Sequence, residues 1–422
     1  MENNPAEGLN AGDFNGKTID RWKQLKVTSF MQNRLLFKLA TISMVCNLSL
    51  VALQSQAADK NIVNATATYG LDDNPHQLSA ENKPDEAINF LKGDFKLAAN
   101  LFEILDVKAQ VTKTQYDDDP RADRYTGSAE LRLKDQFAIG EANFKYQIAA
   151  DYQFEDKTYV NKRTGFVGVF AGESIADRYD YDQQTYFAEL IYMQNSIFEY
   201  GASYQQRSKS FEELEIPGLS NLDYDHQKFT AGFEYKASDL GRFFMNGSFT
   251  QREYLDRRGR DLETSLEVLG TDLFYNYATL NLGYIYRPNQ DTRWRYTYNY
   301  EERRDTVTGY YNATGGFLGI SAVHRISDYQ FLSAGVKYLK FSLVNQVESQ
   351  VDPNATPDTF EDDQRERQGA TINLGYEWIL ATLYETNLAV YVELEHSNFE
   401  HIDDFYTHEK SSASLGIRWS AF

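Results

Sequence analysis

The chain has 422 residues, with 42 Lys and Arg against 62 Asp and Glu, for a formal net charge of -20 and a pI near 4.8. This acidic balance argues against nucleic acid as a partner, because binding it requires a basic surface. The mean hydropathy of -0.57, with no long apolar run after residue 57, excludes a helical membrane protein. The 30 Tyr, 27 Phe and only 8 Pro favour a chain rich in strands.

The N-terminal region carries the features of a secretory signal. From Met31, the basic segment "MQNRLLFK" precedes the apolar "LATISMVCNLSLVAL", and the small residues Ser55 and Ala57 follow. Cys46, the single cysteine, lies inside the apolar run. Its removal with the signal would leave a mature chain free of cysteine.

The signal divides the chain into two parts. We predict an N-terminal extension and signal peptide over residues 1–57, with cleavage leaving Ala58 as the first residue. Residues 58–422 are then predicted to form one domain, which is strongly acidic after export.

Alternation of apolar and polar residues recurs from residue 62 to the end. In "TINLGYEWIL", Ile372, Leu374 and Trp378 share one face, whereas Asn373 and Glu377 share the other. The alternating runs are about ten residues or longer, which exceeds the ~5–6 of globular sheets and matches the ~9–11 that a tilted strand needs to cross a bilayer. The pattern predicts membrane-crossing strands.

Short and long connections alternate between these strands, which is typical of an outer-membrane barrel. The predicted hairpins are 62–70/89–101, 104–116/124–137, 141–157/179–192, 196–208/223–236, 241–255/271–286, 292–306/309–326, 328–345/364–379 and 384–400/409–422. The predicted fold is therefore all-β: a transmembrane antiparallel up-and-down β-barrel of about sixteen strands, within a range of roughly 14–18.

The last strand, "SASLGIRWSAF", ends at Phe422 and places Leu415, Ile417 and Trp419 on one face. An even strand number brings both chain ends to the periplasmic side. The last strand can then pair with the first, around "NIVNATATYG", and remove the exposed edge. Trp419 and Phe422 are the predicted terminal assembly signal, to be recognised by the barrel assembly machinery.

The signal peptide, the strand and loop rhythm and the terminal Phe422 together resemble Gram-negative outer-membrane β-barrels. The segment "ATATYGLDDNPHQLS" is similar to the first strand and loop of porin-like barrels associated with exopolysaccharide secretion. The resemblance implies a location in the outer membrane, contact with its lipids and lipopolysaccharide, and no cofactor. In that family the apolar residues stand in phase with the final Phe; here they are one residue out of phase, and a bulge near Ser420 would restore the phase.

Charged residues recur on the face opposite the apolar one, where they would avoid the several kcal/mol that a charge facing lipid costs. The predicted pore-lining residues are Lys96, Lys108, Glu130, Arg132, Lys145, Asp151, Glu189, Glu199, Glu234, Arg293, Arg295, Glu377, Glu393 and Glu395. The alternative is an internal salt-bridge lattice in a plugged or narrow barrel. Because Glu outnumbers the bases in this set and the loops are acidic, the sequence predicts moderate cation selectivity.

Aromatic residues cluster at strand ends, as in "YDYDQQTYF", "FYNYATL" and "RYTYNYEE". We interpret them as interfacial girdles at the level of the lipid headgroups. A stacking track for sugars is the alternative, and it needs inward aromatics such as Phe187 and Tyr391, which are expected to be few.

Acidic runs mark the loops: "DDNP" (72–75), "YDDDP" (116–120), "EDD" (361–363) and "HIDDFYTHE" (401–409). We interpret them as solvated surface, with divalent cations or cation bridges to lipopolysaccharide phosphates as the alternative. His401, Asp403, Asp404 and His408 could reach one metal ion, but no metal site is predicted from their spacing.

No enzyme is predicted. His396 and Ser397 are neighbours on a strand and therefore point to opposite faces. Gly-x-Ser-x-Gly, His-Glu-x-x-His and phosphate-binding glycine motifs are missing from the sequence. The predicted function is a porin-like channel for passive passage of small solutes. The alternatives are a component of polysaccharide export or surface assembly, and a structural or adhesive barrel with ion-binding loops.

Overall fold

The computed structural model describes residues 62–162, 164–238, 240–264, 266–343, 345, 367–383, 385–401 and 406–421. The predicted signal peptide, its boundary at Ala58 and the terminal Phe422 lie outside these residues. Among the described residues, no helix has the length and apolar character needed to cross a membrane.

Sixteen antiparallel strands of the described chain close into one barrel, in which each strand pairs with its neighbours along the barrel. They are β1 (Ile62–Asp72), β2 (Ile88–Leu101), β3 (Leu105–Tyr116), β4 (Arg124–Ile139), β5 (Ala142–Lys157), β8 (Tyr181–Met193), β9 (Phe198–Phe211), β10 (Tyr224–Ser238), β11 (Gly241–Tyr254), β12 (Phe274–Tyr286), β13 (Thr292–Asp305), β14 (Ala313–Ser327), β15 (Gln330–Leu343), β16 (Arg367–Leu383), β17 (Thr386–His401) and β18 (His408–Ala421). A small hairpin, β6 (Val169–Phe170) and β7 (Glu173–Ser174), and a 3-10 turn (Pro120–Ala122) lie in loops. The predicted up-and-down barrel is confirmed.

Pairing of the first and last strands closes the cylinder. The register runs from Val63 opposite Ala421 to Asp72 opposite Ser412. Over the described residues of β18 it contains no shift, so the bulge considered near Ser420 is not there. Each of the sixteen strands therefore has a paired strand on both sides, which leaves no open sheet edge to lie in lipid.

Connection length distinguishes the two ends of the barrel. Short turns such as 102–104, 140–141 and 328–329 lie at one end, together with both termini of the described barrel. Long loops such as 158–180 and 255–273 lie at the other end. This polarity is the one found in outer-membrane barrels, with the short turns periplasmic and the long loops extracellular. The loop predicted at 346–363 lies outside the described residues.

Large apolar side chains cover the outside of the barrel. Leu374 on β16 is 48% exposed and Ile417 on β18 is 54% exposed. Their counterparts around the barrel are Leu133, Ile148, Leu190, Phe249, Leu318, Val336 and Leu394. A continuous exposed apolar band is unfavourable in water and favourable in hydrocarbon. With the closed barrel, it places the protein in the outer membrane of a Gram-negative bacterium.

An aromatic belt borders this band at the short-turn end. Outward rings follow one another across β4, β5, β8 and β9, with centroid distances of 5.3 Å between Phe137 and Phe144, 5.4 Å between Phe144 and Tyr192, and 6.4 Å between Tyr192 and Tyr200. The belt continues over Phe233, Phe243, Tyr284 and Tyr296. Rings in this position anchor a barrel at the level of the headgroups.

The two faces of β16 generate a test of the orientation. We expect Leu374→Arg to lower the free energy of unfolding in phospholipid vesicles by ~2–4 kcal/mol, because it places a cation in the lipid core. The neighbouring Asn373→Arg should cost much less, because Asn373 lies on the opposite face of β16, where its paired residue is Glu395. Equilibrium unfolding of both variants in urea measures the difference. Equal losses would contradict the two-faced barrel.

Candidate functional site: the barrel lumen

Register identifies the inward face of every strand, because directly paired residues point to the same side of a sheet. Lys108 pairs with Glu130, and Glu130 pairs with Asp151. Followed around the barrel in this way, all fourteen predicted pore-lining residues lie on one face. That face borders the interior cavities. Whether these residues line a conducting route stays a prediction.

The interior contains cavities that side chains do not fill. One of about 1010 Å³ lies between β1–β3 and β14–β18. It runs from Asn387 and Ser420, near the short turns, to Glu395 and Ser412, towards the loops. A cavity of about 420 Å³ lies against β10–β15, and one of about 430 Å³ lies against β8–β13. Their linings are mainly polar, which suits water or a hydrophilic solute.

Glycines help to keep this space open by letting aromatic rings lie flat on the wall. The Tyr391 ring covers Gly416 on the adjacent strand, and the Phe244 ring covers Gly283. A Cβ at either glycine would overlap the ring and push it towards the axis. The hydroxyls of Tyr391 and Thr68 lie 2.5 Å apart and hold the ring further against the wall.

Ion pairs link the inward charges along the wall. Glu199 accepts from both Lys145 Nζ at 3.2 Å and Lys236 Nζ at 3.0 Å, and Arg418 Nη1 donates to Glu377 Oε2 at 2.7 Å. Further pairs are Lys108–Glu130, Arg132–Glu130, Lys134–Asp106 and Arg242–Glu234. The predicted alternative, a salt-bridge lattice, is therefore present on the same wall as the cavities.

The inward face holds many charged residues that the sequence analysis did not identify. The additional inward bases are Lys92, Arg124, Lys134, Lys157, Arg207, Lys209, Lys228, Lys236, Arg242, Arg252, Arg303, Arg325, Lys337, Lys410 and Arg418. The additional inward acids are Asp72, Asp94, Asp106, Glu155, Glu301 and Asp305. Across the described strands, inward bases thus outnumber inward acids. The sequence pattern indicates at least one of them: in "HQKFTAGFEYK", Lys228 alternates in phase with Glu234, which is a predicted pore-lining residue.

A buried cluster of tyrosines fills part of the loop-side mouth. Tyr254 and Tyr275 point inward from the loop ends of β11 and β12, and Tyr310 and Tyr311 come from the loop before β14; all four are fully buried. The ring centroids lie 5.6 Å apart for Tyr254 and Tyr275 and 5.8 Å apart for Tyr275 and Tyr311. The cluster also contains Tyr179, Phe211, Leu222, Tyr224, Leu273 and Tyr277.

This cluster corrects two expectations about the aromatic residues. The girdle interpretation is wrong for "FYNYATL", because Tyr275 and Tyr277 face the interior. It is also wrong for Tyr179, which belongs to the buried cluster. Inward aromatics are not few: Phe187 and Tyr391 are joined by Phe90, Phe244, Phe317 and Phe341, besides the tyrosine cluster.

Hydrogen bonds join successive loops into a layer at the extracellular end. His76 Nε2 lies 2.8 Å from Asp119 Oδ2, and Arg121 Nη1 donates to the carbonyl of Gly165 at 3.0 Å. Further along, Arg178 Nη2 donates to the carbonyl of Ser220 at 2.7 Å. Each contact joins a different pair of loops, so the layer continues from the first loop to the fourth.

Acidic residues of the loops serve this layer. At the loop end of the wall, Asp72 of β1 pairs with Lys410 of β18 at 2.7 Å, and within the second loop Asp119 pairs with Arg121 at 2.7 Å. Within the described part of the chain, no group of three or more His, Cys, Asp or Glu side chains is arranged to hold a metal ion. Asp403, Asp404 and the 361–363 run lie outside that part.

No protein-family profile matches the chain, and no significant match is found among curated proteins. Solved structures do match. A variant of OccD1 (OprD) shows 9% identity and a TM-score of 0.42 over 87% of this chain and 97% of its own. OccAB3 of Acinetobacter baumannii shows 10% identity and a TM-score of 0.41 over 86% of this chain and 99% of its own. In-vitro folded OmpT, an outer membrane protein of Vibrio cholerae, shows 11% identity and a TM-score of 0.39 over 86% of this chain and 99% of its own. The likeness is one of barrel fold.

The burial of His76 beside Asp119 predicts that acid loosens the loop layer. Burial lowers the pKa of His76 although Asp119 acts to raise it. Burial acts to raise the pKa of Asp119, but its hydrogen bonds with Arg121 and His76 outweigh this, so that pKa is lowered. A lowered histidine pKa removes stability as the pH falls below the ordinary value of ~6.5, and a lowered carboxyl pKa removes more as the pH falls through the folded value.

We therefore expect faster hydrogen exchange at the amides of Ala122 and Asp123 between pH 7 and about pH 5, after correction for intrinsic rates. His76→Gln removes the titrating ring and should flatten this step. An unchanged step in the variant would exclude His76 as its source.

Proposed function

We propose that the protein is an outer-membrane channel for the passive passage of small solutes. The observation that carries the proposal is the unfilled polar lumen, above all the cavity of about 1010 Å³ between β1–β3 and β14–β18. Barrels of about sixteen to eighteen strands have a circumference that leaves an aqueous interior, whereas eight-stranded barrels fill with side chains.

The route that this geometry favours is asymmetric. The tyrosine cluster occupies the loop-side mouth over β8–β14, whereas the large cavity lies on the opposite part of the wall. The first loop is fixed to the loop end of β18, where the buried Asn74 donates to the carbonyl of Glu409 at 2.9 Å, and hydrogen bonds continue the layer to the fourth loop. Passage would therefore require a gap in the loop layer or its movement.

The loop layer also supports the structural alternative, since tied loops suit a closed surface barrel. Polysaccharide export stays a second alternative, for which inward aromatics could supply stacking surfaces. We propose no catalytic activity for the protein.

Single-channel recording in planar bilayers tests the channel proposal. We expect discrete conducting steps for the full mature barrel. Tyr311→Ala should raise the conductance, because it removes a buried ring from the cluster that narrows the mouth. Tyr296→Ala, which removes a ring from the outer belt, is the matched control and should leave conductance unchanged. A folded protein that never conducts would reject the channel and favour the structural or export alternatives.

Ion preference is a separate prediction. The sequence predicts moderate cation selectivity, whereas the additional inward bases, which are identified from the strand register, favour anions. Fixed wall charge acts over a Debye length of ~10 Å at 0.1 M salt and ~3 Å at 1 M. Reversal potentials across a KCl gradient therefore decide between the two, and the preference of either sign should fade as the salt concentration rises.

A further inference from the structure

The cavity against β10–β15 has one strongly basic side. His226 and Lys228 of β10, Arg252 of β11 and Arg303 of β13 line it, and Lys337 of β15 joins them from across the cavity. Arg207 of β9 lies beside this group as the direct register partner of His226. Among the described residues that line the cavity, Glu301 is the single acid. The local field therefore favours an anion.

Buried nitrogens in this group are left without hydrogen-bond partners. His226 is only 9% exposed, and neither of its ring nitrogens has a partner. The Nε of Arg207 is likewise buried and without a partner. A buried polar atom without a partner is costly, so such atoms ordinarily meet a ligand or water. Imidazole and guanidinium groups can donate to the oxygens of an anion.

The opposite side of the same cavity is apolar. Phe317 of β14 and Leu339 and Phe341 of β15 form it. Lys337 Nζ lies over the Phe317 ring, 4.4 Å from its centroid, so a positive charge stands against one face of this ring and adjoins the apolar side chains. An inorganic anion would satisfy the basic side and leave the apolar side uncovered. A molecule with an anionic group and an apolar body would cover both.

We propose that this cavity is a binding site for small organic monocarboxylates, with the carboxylate towards His226, Lys228 and Arg252 and the apolar body towards Phe317 and Phe341. The volume of about 420 Å³ suits a molecule of the size of one aromatic ring with a carboxylate. The inference deepens the proposed function, since it names a solute class for the lumen.

Calorimetric titration of the refolded full-length barrel in detergent tests this site with benzoate as the probe. We expect saturable binding of benzoate, and binding at least roughly tenfold weaker for benzamide, which has the same shape without the charge. Inorganic phosphate should bind more weakly than benzoate, because it leaves the apolar side uncovered. Equal binding of benzoate and benzamide, or tighter binding of phosphate, would overturn the proposal.

Matched lysine variants locate the site. Lys228→Gln should weaken benzoate binding roughly tenfold, because it removes a cation that faces the carboxylate, whereas Lys337→Gln removes a more distant charge of the same lining and should weaken binding less. Lys340→Gln removes the same charge from β15 but on the outward face, and it should change nothing. Retained β-sheet circular dichroism and heat-modifiable migration show that the variants are folded. Full benzoate affinity in both lumen variants would place the binding elsewhere and overturn the assignment.

The test separates this site from the channel proposal, because calorimetry requires no conduction. Conductance without benzoate binding overturns the site and leaves the channel supported. Benzoate binding by a barrel that never conducts supports the site and rejects the channel. When both hold, benzoate should also reduce the single-channel KCl current, and Lys228→Gln should weaken this block by the same factor as the binding.

Discussion

The structure depends on one constraint: a sheet in hydrocarbon must leave no backbone donor or acceptor without a partner. Pairing of β1 with β18 satisfies it, since the final described residue, Ala421, still has a partner on each side, Val63 and Thr386. A chain that ended before this strand would expose two edges to lipid. Closure also gives the sheet two different environments, because a closed cylinder has one face in lipid and one face inside.

The alternation of side chains divides the chemistry between these faces. Outward positions such as Leu374 are apolar, and inward positions such as Glu377 carry the charge. On the inward face, charged side chains are arranged in two different ways. Ion pairs such as that of Arg418 with Glu377 neutralise part of the wall. On β10–β13 the bases collect in the lining of one cavity, where Glu301 is the single acid among the described lining residues.

Most of the fold could be predicted from the sequence, because a period of two over more than ten residues is a strong signal and loops interrupt it regularly. The predicted hairpin 141–157/179–192, for example, appears as β5 and β8. Register shifts between Lys236 and Ser238 and between Ile379 and Ala381 could not be predicted, because one extra residue leaves no mark in composition. The charge balance of the lumen differs from the prediction because Lys228 and Arg252 also lie on the inward face, and neither is among the predicted pore-lining residues.

The loop end shows where sequence reasoning loses its basis. Alternation places Tyr275 in phase with the polar Thr279 and Asn281, and therefore inward, but it does not tell whether an inward ring meets water or another tyrosine. The answer depends on Tyr311, which follows 36 residues later in a loop of its own. Such contacts between loops set how far the mouth is closed, whereas the strands set how wide the lumen is. The proposed permeation would therefore depend on two parts of the chain: a rigid wall held by backbone hydrogen bonds, and a loop layer held by side chains such as His76 and Asp119 that titrate and can separate.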